Sequence, residues 1–151
     1  MSLEAIIALG SNLGDRQAHL QAGLTALREL GSVTPSPLVM ESKDESGLGP
    51  DYLNTVAQLA CELDNPCDLL ERLLRIELRL GRDRAAGRNA PRTLDLDLIR
   101  VTGQSGRWLW PTPVDLRSLG GQLSLELPHP RAEGRPFVQE PLQWLERDLK
   151  D

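Results

Sequence analysis

Residues 91–99 read Pro-Arg-Thr-Leu-Asp-Leu-Asp-Leu-Ile, and their alternation is the most informative pattern in the chain. On a β-strand, successive side chains point to opposite faces. The leucines at positions 94, 96 and 98 are therefore expected to be buried, whereas Asp95 and Asp97 share the other face. The two carboxylates start about 7 Å apart along one strand face, so both can lean toward a cation.

The segment upstream of this strand is strongly basic. Residues 79–92 contain five arginines and one acid, Asp83. Carboxylates that can hold magnesium, next to a cluster of guanidinium groups, form the combination that a triphosphate substrate requires. The alternative interpretation is an exposed sheet face with solvated acids, followed by a solvated basic loop, and alternation alone does not separate the two.

Composition limits the class of protein. The chain has 151 residues and a net charge of −5, from 17 basic and 22 acidic residues. This length suits one domain with a real core, and the acidic balance argues against broad binding to nucleic acid or to an anionic membrane. No apolar segment approaches a membrane span, and no signal peptide is recognisable. Cys61 and Cys67 have no partner histidines at zinc spacing, so we expect free thiols and a cytoplasmic location.

Apolar periodicity predicts the order strand–helix–strand–strand–helix–strand. The expected strands are residues 3–9, 33–40, 52–63 and 94–101, and the expected helices are residues 15–30 and 65–80. This is the split βαβ order of a ferredoxin-like α+β fold, in which helices cover one face of an antiparallel sheet and the active site lies on the other. Residues 103–121, with Trp108 and Trp110, are expected to form a small hairpin arm, and residues 141–149 a terminal helix.

Two further positions carry functional interpretations. Tyr52 and Asn54 share a strand face, and a ring beside an amide suits a flat heterocycle; a core tyrosine and a turn asparagine would look the same. His129 lies between two prolines, which favours a structural or solvent-facing histidine over a phosphate contact. The absence of a Walker-type motif excludes a P-loop nucleotide site.

Several segments together resemble the family of 6-hydroxymethyl-7,8-dihydropterin pyrophosphokinases. Residues 91–97 (PRTLDLD) are the most specific match. Weaker matches follow the family's order along the chain, at residues 8–14, 51–54, 75–78, 81–82, 127–131, 135, 137 and 141–142. The resemblance implies transfer of a pyrophosphoryl group from ATP to the pterin hydroxymethyl oxygen, with release of AMP, in folate biosynthesis. It also implies one domain over residues 1–151, with a Gly/Pro-rich insertion at about 103–121.

The resemblance assigns roles residue by residue. It implies that Asp95 and Asp97 hold two Mg2+ ions and that Arg82 and Arg92 are catalytic. The implied ATP-binding residues are Glu77, Arg84, Arg92, His129 and Arg135, and the implied pterin-binding residues are Ser42, Tyr52, Asn54 and Phe137. The expected partners are these small-molecule substrates alone, without nucleic acid or membrane, and the expected state is a monomer.

Departures from the family pattern keep other hypotheses open. Asn89 stands where the family often has tryptophan, and Ser42-Lys43 replaces its Thr/Ser-Pro. These changes motivate a second hypothesis, a paralogue that binds pterin and ATP with little or no catalysis. A third is an unrelated ferredoxin-like interaction or RNA-binding module, against which the acidic balance and the missing aromatic stacking strand argue.

Overall fold

The computed structural model describes residues 2–44, 46–81 and 93–150. Its elements, in chain order, are β1 (Leu3–Ser11), α1 (Arg16–Arg28), β2 (Gly31–Pro35), β3 (Met40–Ser42), β4 (Tyr52–Cys61), α2 (Pro66–Arg79), β5 (Asp95–Val101), β6 (Gly106–Pro111), a 3-10 helix (Val114–Leu119), β7 (Gln122–Leu127) and α3 (Pro136–Lys150). No helix within these ranges is long and apolar enough to cross a membrane.

The main sheet has the predicted ferredoxin-like topology. Its strand order is β2–β4–β1–β5, with β3 also paired to β4, and all of these pairs are antiparallel. Helix α1 joins β1 to β2 and α2 joins β4 to β5, so each helix crosses over between strands that are not neighbours. Both helices begin at side-chain caps, at the residues where the expected helices start: the Asp15 carboxylate accepts from the Ala18 amide at 3.1 Å, and the Asn65 side chain accepts from the Cys67 amide at 2.8 Å.

The strand expected over residues 33–40 is interrupted. It forms β2 and β3, which pair with opposite ends of β4. Pro35 and Pro37 have no N–H group to donate to a ladder, which accounts for the break at this sheet edge. Within the break, the Ser36 hydroxyl donates to the Pro141 carbonyl at 2.6 Å, so the gap in the strand becomes an attachment point for α3.

Two apolar cores lie on opposite faces of the sheet. The larger core packs the sheet against α1 and α2 and includes Leu94, Leu96 and Leu98, as the alternation predicts. The smaller core packs the other face against α3; its members are Ile6, Ala8, Val56, Ile99, Ala132, Val138, Leu142 and Leu145. The face expected to be open is therefore only partly open. Helix α3 also begins at Pro136 rather than 141, because Pro136 occupies its first turn and Pro141 lies inside it.

A hairpin arm is present and is attached to α2, but only its first strand lies within the expected residues 103–121, since β7 begins at Gln122. Strands β6 and β7 pair antiparallel, with the 3-10 helix at the turn. The Trp110 indole N–H donates to the Glu71 carboxylate at 2.8 Å, and the Arg75 Nε donates to the Asp115 carboxylate at 2.6 Å. The arm thus covers one side of α2.

Strand β5 contains a β-bulge. Ile7 pairs with Leu98 and Ile6 pairs with Arg100, which leaves Ile99 as the extra residue on β5. The Ile99 carbonyl accepts from the His129 amide at 2.7 Å. This bond brings the segment around His129 to the outer edge of β5.

Candidate functional site

A concave pocket lies on the part of the sheet face that α3 leaves uncovered. It is bounded by β1, β4, β5, the segment after β3 and the segment leading into α3. The lining residues are Ala8, Leu9, Gly10, Ser42, Lys43, Asp44, Tyr52, Asn54, Thr55, Asp95, Asp97, His129, Arg131, Arg135, Phe137 and Val138. Eight of the residues that the sequence predicts to bind substrate or metal are in this set.

The two predicted acids form one wall of the pocket. Asp95 pairs with Gly10 of β1 and Asp97 pairs with Ala8, so small residues lie beside both carboxylates. The Asp97 carboxylate is 3.9 Å from the Arg135 guanidinium, with side chains 38% and 18% exposed respectively. The acids are therefore reachable from solvent, and Asp97 has a cation close by.

The acid pair fits a magnesium ion that is shared with a phosphate ligand. Among the described residues, no group of three His, Cys, Asp or Glu side chains could hold a metal by itself. Mg2+ is commonly bound through one or two carboxylates, with substrate phosphates and water completing an octahedral shell. Asp95 and Asp97 lie on one strand face and line the pocket, so their chemistry is compatible with the protein's share of such a shell.

The opposite wall is suited to a flat, polar ring. The Asn54 amide donates to the Ser42 hydroxyl at 2.9 Å and to the Met40 carbonyl at 3.2 Å, which fixes the orientation of its side chain. Tyr52 lies on the same strand, and Phe137 approaches from the first turn of α3. The pocket thus brings together the four residues expected to bind a pterin.

Gly10 lies between the two walls. Its Cα pairs with Asn54 on β4 and with Asp95 on β5, so the ring-binding wall and the acid wall are one strand away on either side. Adjacent strands are about 4.8 Å apart, which puts the backbones of Asn54 and Asp95 about 10 Å from each other. A Cβ on Gly10 would lie 3.2 Å from the Asn54 side-chain oxygen and 3.3 Å from the Tyr52 ring. The absence of a side chain here keeps the pocket open.

One histidine and two arginines line the pocket near α3: His129, Arg131 and Arg135. His129 is half-buried, and its Nδ1 accepts from the Arg131 amide at 3.2 Å. Burial lowers the pKa of His129, and the neighbouring charges of Arg135 and Arg131 lower it further, which favours the neutral imidazole at pH 7. The Arg135 guanidinium lies 5.7 Å from the centre of the Phe137 ring, within cation–π range.

Other predicted site residues lie elsewhere. Glu77 is 2% exposed and is not among the pocket-lining residues. Its carboxylate accepts from the Leu96 amide at 2.7 Å, so it contacts the backbone of β5. Arg82, Arg84 and Arg92 lie outside the described residues, as does Asn89, and their roles stay predictions.

Sequence reasoning missed one buried acid of the pocket. Asp44 is 7% exposed, and its carboxylate accepts from the Gly49 amide at 3.1 Å and from the Ser46 hydroxyl. These bonds organise the loop between β3 and β4. An Asp with Ser two positions later and Gly three positions later is typical of a side-chain-stabilised turn, so the sequence contains a signal for the turn but none for its position at the pocket.

Comparisons with known proteins agree on one family. A family model described as 7,8-dihydro-6-hydroxymethylpterin-pyrophosphokinase matches residues 6–147. A 2-amino-4-hydroxy-6-hydroxymethyldihydropteridine pyrophosphokinase of Pseudomonas aeruginosa is 37% identical over 147 residues, which is 95% of this chain and 81% of that protein. A protein of the same description from Bacillus subtilis is 33% identical over 141 residues, covering 91% of this chain and 75% of that protein.

Solved structures agree on the fold. A crystal structure of an HPPK-DHPS in complex with substrates superposes with a TM-score of 0.65 at 11% sequence identity, over 91% of this chain and 39% of the other. A Plasmodium falciparum HPPK-DHPS with STZ-DHP superposes with a TM-score of 0.61 at 11% identity, over 91% of this chain and 38% of the other. This chain spans about two fifths of each of those longer chains.

Proposed function

This chain belongs to the 7,8-dihydro-6-hydroxymethylpterin-pyrophosphokinase family, and we propose how its residues divide the work of that reaction. The enzyme transfers the pyrophosphoryl group of ATP to the hydroxymethyl oxygen of 6-hydroxymethyl-7,8-dihydropterin and releases AMP, in folate biosynthesis. The observation that supports our assignment best is the register of β1, which sets the ring-binding wall and the acid wall on either side of Gly10.

We assign the metal-binding role to Asp95 and Asp97. Together with the phosphates of ATP they would hold two Mg2+ ions, which when bound supply positive charge where negative charge grows on the phosphate oxygens. The chain's own contribution is to hold both carboxylates on one strand face. Arg135 offsets part of their mutual repulsion, since its guanidinium lies 3.9 Å from Asp97.

We assign phosphate and nucleotide binding to the arginines and to His129. Arg82 and Arg92 would steady the transferring group and Arg84 would contact ATP, as the family resemblance implies. His129 and Arg135 line the pocket next to the acids and suit the remaining phosphate and nucleotide contacts. Guanidinium groups already in place stabilise the charge of the transition state without covalent chemistry by the protein.

We assign the pterin to the wall opposite the acids. Tyr52 and Phe137 would contact the two faces of the ring, and Asn54 and Ser42 would hydrogen-bond its edge. The Asn54 amide is held by Ser42 and Met40, so it is already oriented. A ring bound in this position would extend its hydroxymethyl group across Gly10 toward Asp95, where the transferring phosphate would have to lie.

We further propose a single pyrophosphokinase domain in which residues 103–121 are an insertion. We propose that the enzyme acts as a monomer on small molecules without nucleic acid, in keeping with its net charge of −5. A cytoplasmic location is consistent with the free thiols of Cys61 and Cys67.

An AMP-release assay tests the function. Purified protein should form AMP only when ATP, Mg2+ and hydroxymethyl-dihydropterin are all present, and omission of any one should abolish it. If the protein binds both substrates but forms no AMP, it is a pterin- and ATP-binding paralogue and the catalytic assignment is wrong.

Substitution of Asp97 tests the metal assignment separately. Asp97→Asn should lower kcat by at least about a hundredfold, since the metal contributes several kcal/mol to the transition state. Pterin affinity measured by calorimetry should stay close to that of the unsubstituted protein, because the ring binds on the other wall. Asp148→Asn, an exposed acid near the end of α3, is the matched control. Equal losses of rate and of pterin affinity would contradict the assigned role.

A further inference from the structure

The acid-bearing strand lies at the edge of the sheet. Strand β5 pairs with β1 on one side, and it is the last strand in the described sheet order. Backbone N–H groups on the outer side of an edge strand have no ladder partner, and such a strand can shift or twist more easily than a central one. The precise placement of Asp95 and Asp97 therefore needs a restraint from outside the sheet.

One buried carboxylate supplies a bond on that outer side. The Leu96 amide lies between Asp95 and Asp97 in sequence, and it donates to the Glu77 carboxylate at 2.7 Å. Both groups are buried: Glu77 is 2% exposed and Leu96 is 4% exposed. A buried N–H that loses its acceptor is left unsatisfied, so an oxygen acceptor at this position is costly to remove.

A carboxyl group is an unusual occupant of this position in the core. Glu77 is on the buried side of α2, next to Ile76 and Leu73, where an apolar side chain could pack instead. Burial of an ionised carboxylate is strongly unfavourable unless hydrogen bonds compensate it. Core positions are usually apolar, and a polar side chain at such a position is most often found near a functional site.

The helix that carries Glu77 is itself held in place. The hairpin arm contacts α2 through the bonds from Trp110 to Glu71 and from Arg75 to Asp115. The buried stripe of α2 packs under the sheet. Glu77 is therefore presented to β5 from a helix that is restrained on two sides.

We propose that Glu77 is a positioning residue: it fixes the backbone of β5 between Asp95 and Asp97 and so sets the spacing of the two carboxylates for divalent cations. This inference rests on the metal assignment made above. It differs from the role in ATP binding that the family resemblance implies, because Glu77 acts here through the strand and not through contact with the nucleotide.

Three substitutions of Glu77 distinguish the contributions of its side-chain length, its acidic group and its hydrogen-bond acceptor. Glu77→Gln keeps an oxygen acceptor at the same length without the charge. Glu77→Asp keeps the charge but is one methylene shorter and cannot reach the Leu96 amide. Glu77→Met keeps the length and removes the acceptor. Glu62→Gln, an exposed acid before α2, is the matched control.

Two measurements that do not depend on turnover test the proposal. The first is the affinity for Mn2+, by electron paramagnetic resonance, in the presence of a nonhydrolysable ATP analogue. The second is hydrogen exchange of the Leu96 amide in the protein without ligands. We expect Glu77→Asp and Glu77→Met to weaken Mn2+ binding by about tenfold to a hundredfold, as loss of an outer-shell partner does, and to speed exchange at Leu96. Glu77→Gln should stay near the unsubstituted protein in both.

The same variants define what would overturn the proposal. Unchanged Mn2+ affinity and unchanged Leu96 exchange in Glu77→Asp would do so. A loss of nucleotide affinity that is equal with and without the divalent ion would also overturn it, because that result indicates direct nucleotide contact. If Glu77→Met does not fold, Glu77→Asp and Glu77→Gln still give the comparison. Absence of AMP formation by the unsubstituted protein would instead refute the proposed function and leave both measurements interpretable.

Discussion

Gly10 is the residue on which the geometry of the pocket depends most directly. It pairs with Asn54 on one side and Asp95 on the other, so any side chain here would project between the two proposed subsites. The contacts of 3.2 Å and 3.3 Å that a Cβ would make are both to the ring-binding wall, with Asn54 and Tyr52. Added volume should therefore disturb pterin binding before it disturbs metal binding.

Gly10→Ala should raise the KM for the pterin by about tenfold, since overpacking costs about 1–3 kcal/mol and 1.4 kcal/mol corresponds to a factor of ten. The KM for ATP should change much less. Steady-state kinetics with each substrate varied in turn measure both constants. Gly121→Ala is the control, because a Cβ at Gly121 would meet nothing within 4 Å. A larger effect on ATP than on the pterin would show that the two walls are assigned the wrong way round.

His129 gives a pH dependence of stability with a defined sign. Because burial and the nearby arginines lower its pKa in the folded protein, the unfolded chain binds the proton more readily. Its contribution to the free energy of unfolding is therefore present above the ordinary histidine pKa, about 6.5, and is lost as the pH falls through the lowered value. His129→Gln should reduce the slope of stability against pH between about pH 7 and 5. Urea unfolding at a series of pH values measures that slope. His19→Gln, outside the pocket, is the control. An unchanged slope in His129→Gln would contradict the assignment.

The residues that sequence reasoning could find are those whose orientation is set locally. Asp95 and Asp97 follow from the alternation of a strand, because neighbouring residues on a strand cannot share a face. The pocket position of Asp44 could not be predicted in this way, since it depends on where a loop lies over the sheet. Glu77 was placed at the ATP site by resemblance, and the bond to Leu96 that the structure gives it could not be read from helix periodicity.

The helices and strands were predictable where neighbouring residues determine them, and not where they depend on packing. Caps at Asp15 and Asn65 and the prolines of the β2–β3 break act through neighbouring residues, so the sequence contains them. The sequence predicts a terminal helix over residues 141–149, whereas α3 begins at Pro136 and contains Pro141. Its apolar positions, such as Val138 and Leu142, indicate a buried side but not which face of the sheet covers it, so the partial closure of the second face was not predicted.

The hairpin arm should contribute to stability through α2. Trp110→Phe removes the indole donor to Glu71 and keeps most of the apolar surface, so the free energy of unfolding should fall by about 1 kcal/mol. Denaturant unfolding measures the change. Leu109→Ala on the same strand is the control, since Leu109 is 67% exposed and surface substitutions usually change stability by less than about 0.5 kcal/mol. If the two variants are equally stable, the arm does not support α2 through this bond.

At the scale of the molecule, the sheet is a shared wall between two unequal cores. The larger core under α1 and α2 holds the fold, whereas the smaller one holds α3 against the opposite face. Helix α3 begins at Pro136, between Arg135 and Phe137, and both of these neighbouring residues line the pocket. The smaller core therefore determines whether one end of the active site is in place.

Leu145→Ala should show whether the smaller core positions α3 at the pocket in addition to stabilising the protein. Leu145 and Leu27 are both fully buried, and each substitution by alanine should cost about 2–5 kcal/mol. Hydrogen exchange should become faster over residues 136–142 in Leu145→Ala, and over α1 in Leu27→Ala. The pterin KM should rise only in the former. The same exchange pattern in both variants would mean that the two cores are not energetically distinct.

The bulge at Ile99 affects which insertions and deletions the hairpin arm can tolerate. A shift of one residue in the register of a regular strand moves every side chain to the opposite face of the sheet. Such a shift in β5 would place both aspartates in the apolar core. Here the irregular pairing separates the acidic end of β5 from the end that continues into the hairpin arm. Additions or deletions in the arm can be absorbed at that irregularity, so the orientation of the aspartates is independent of how long the arm becomes.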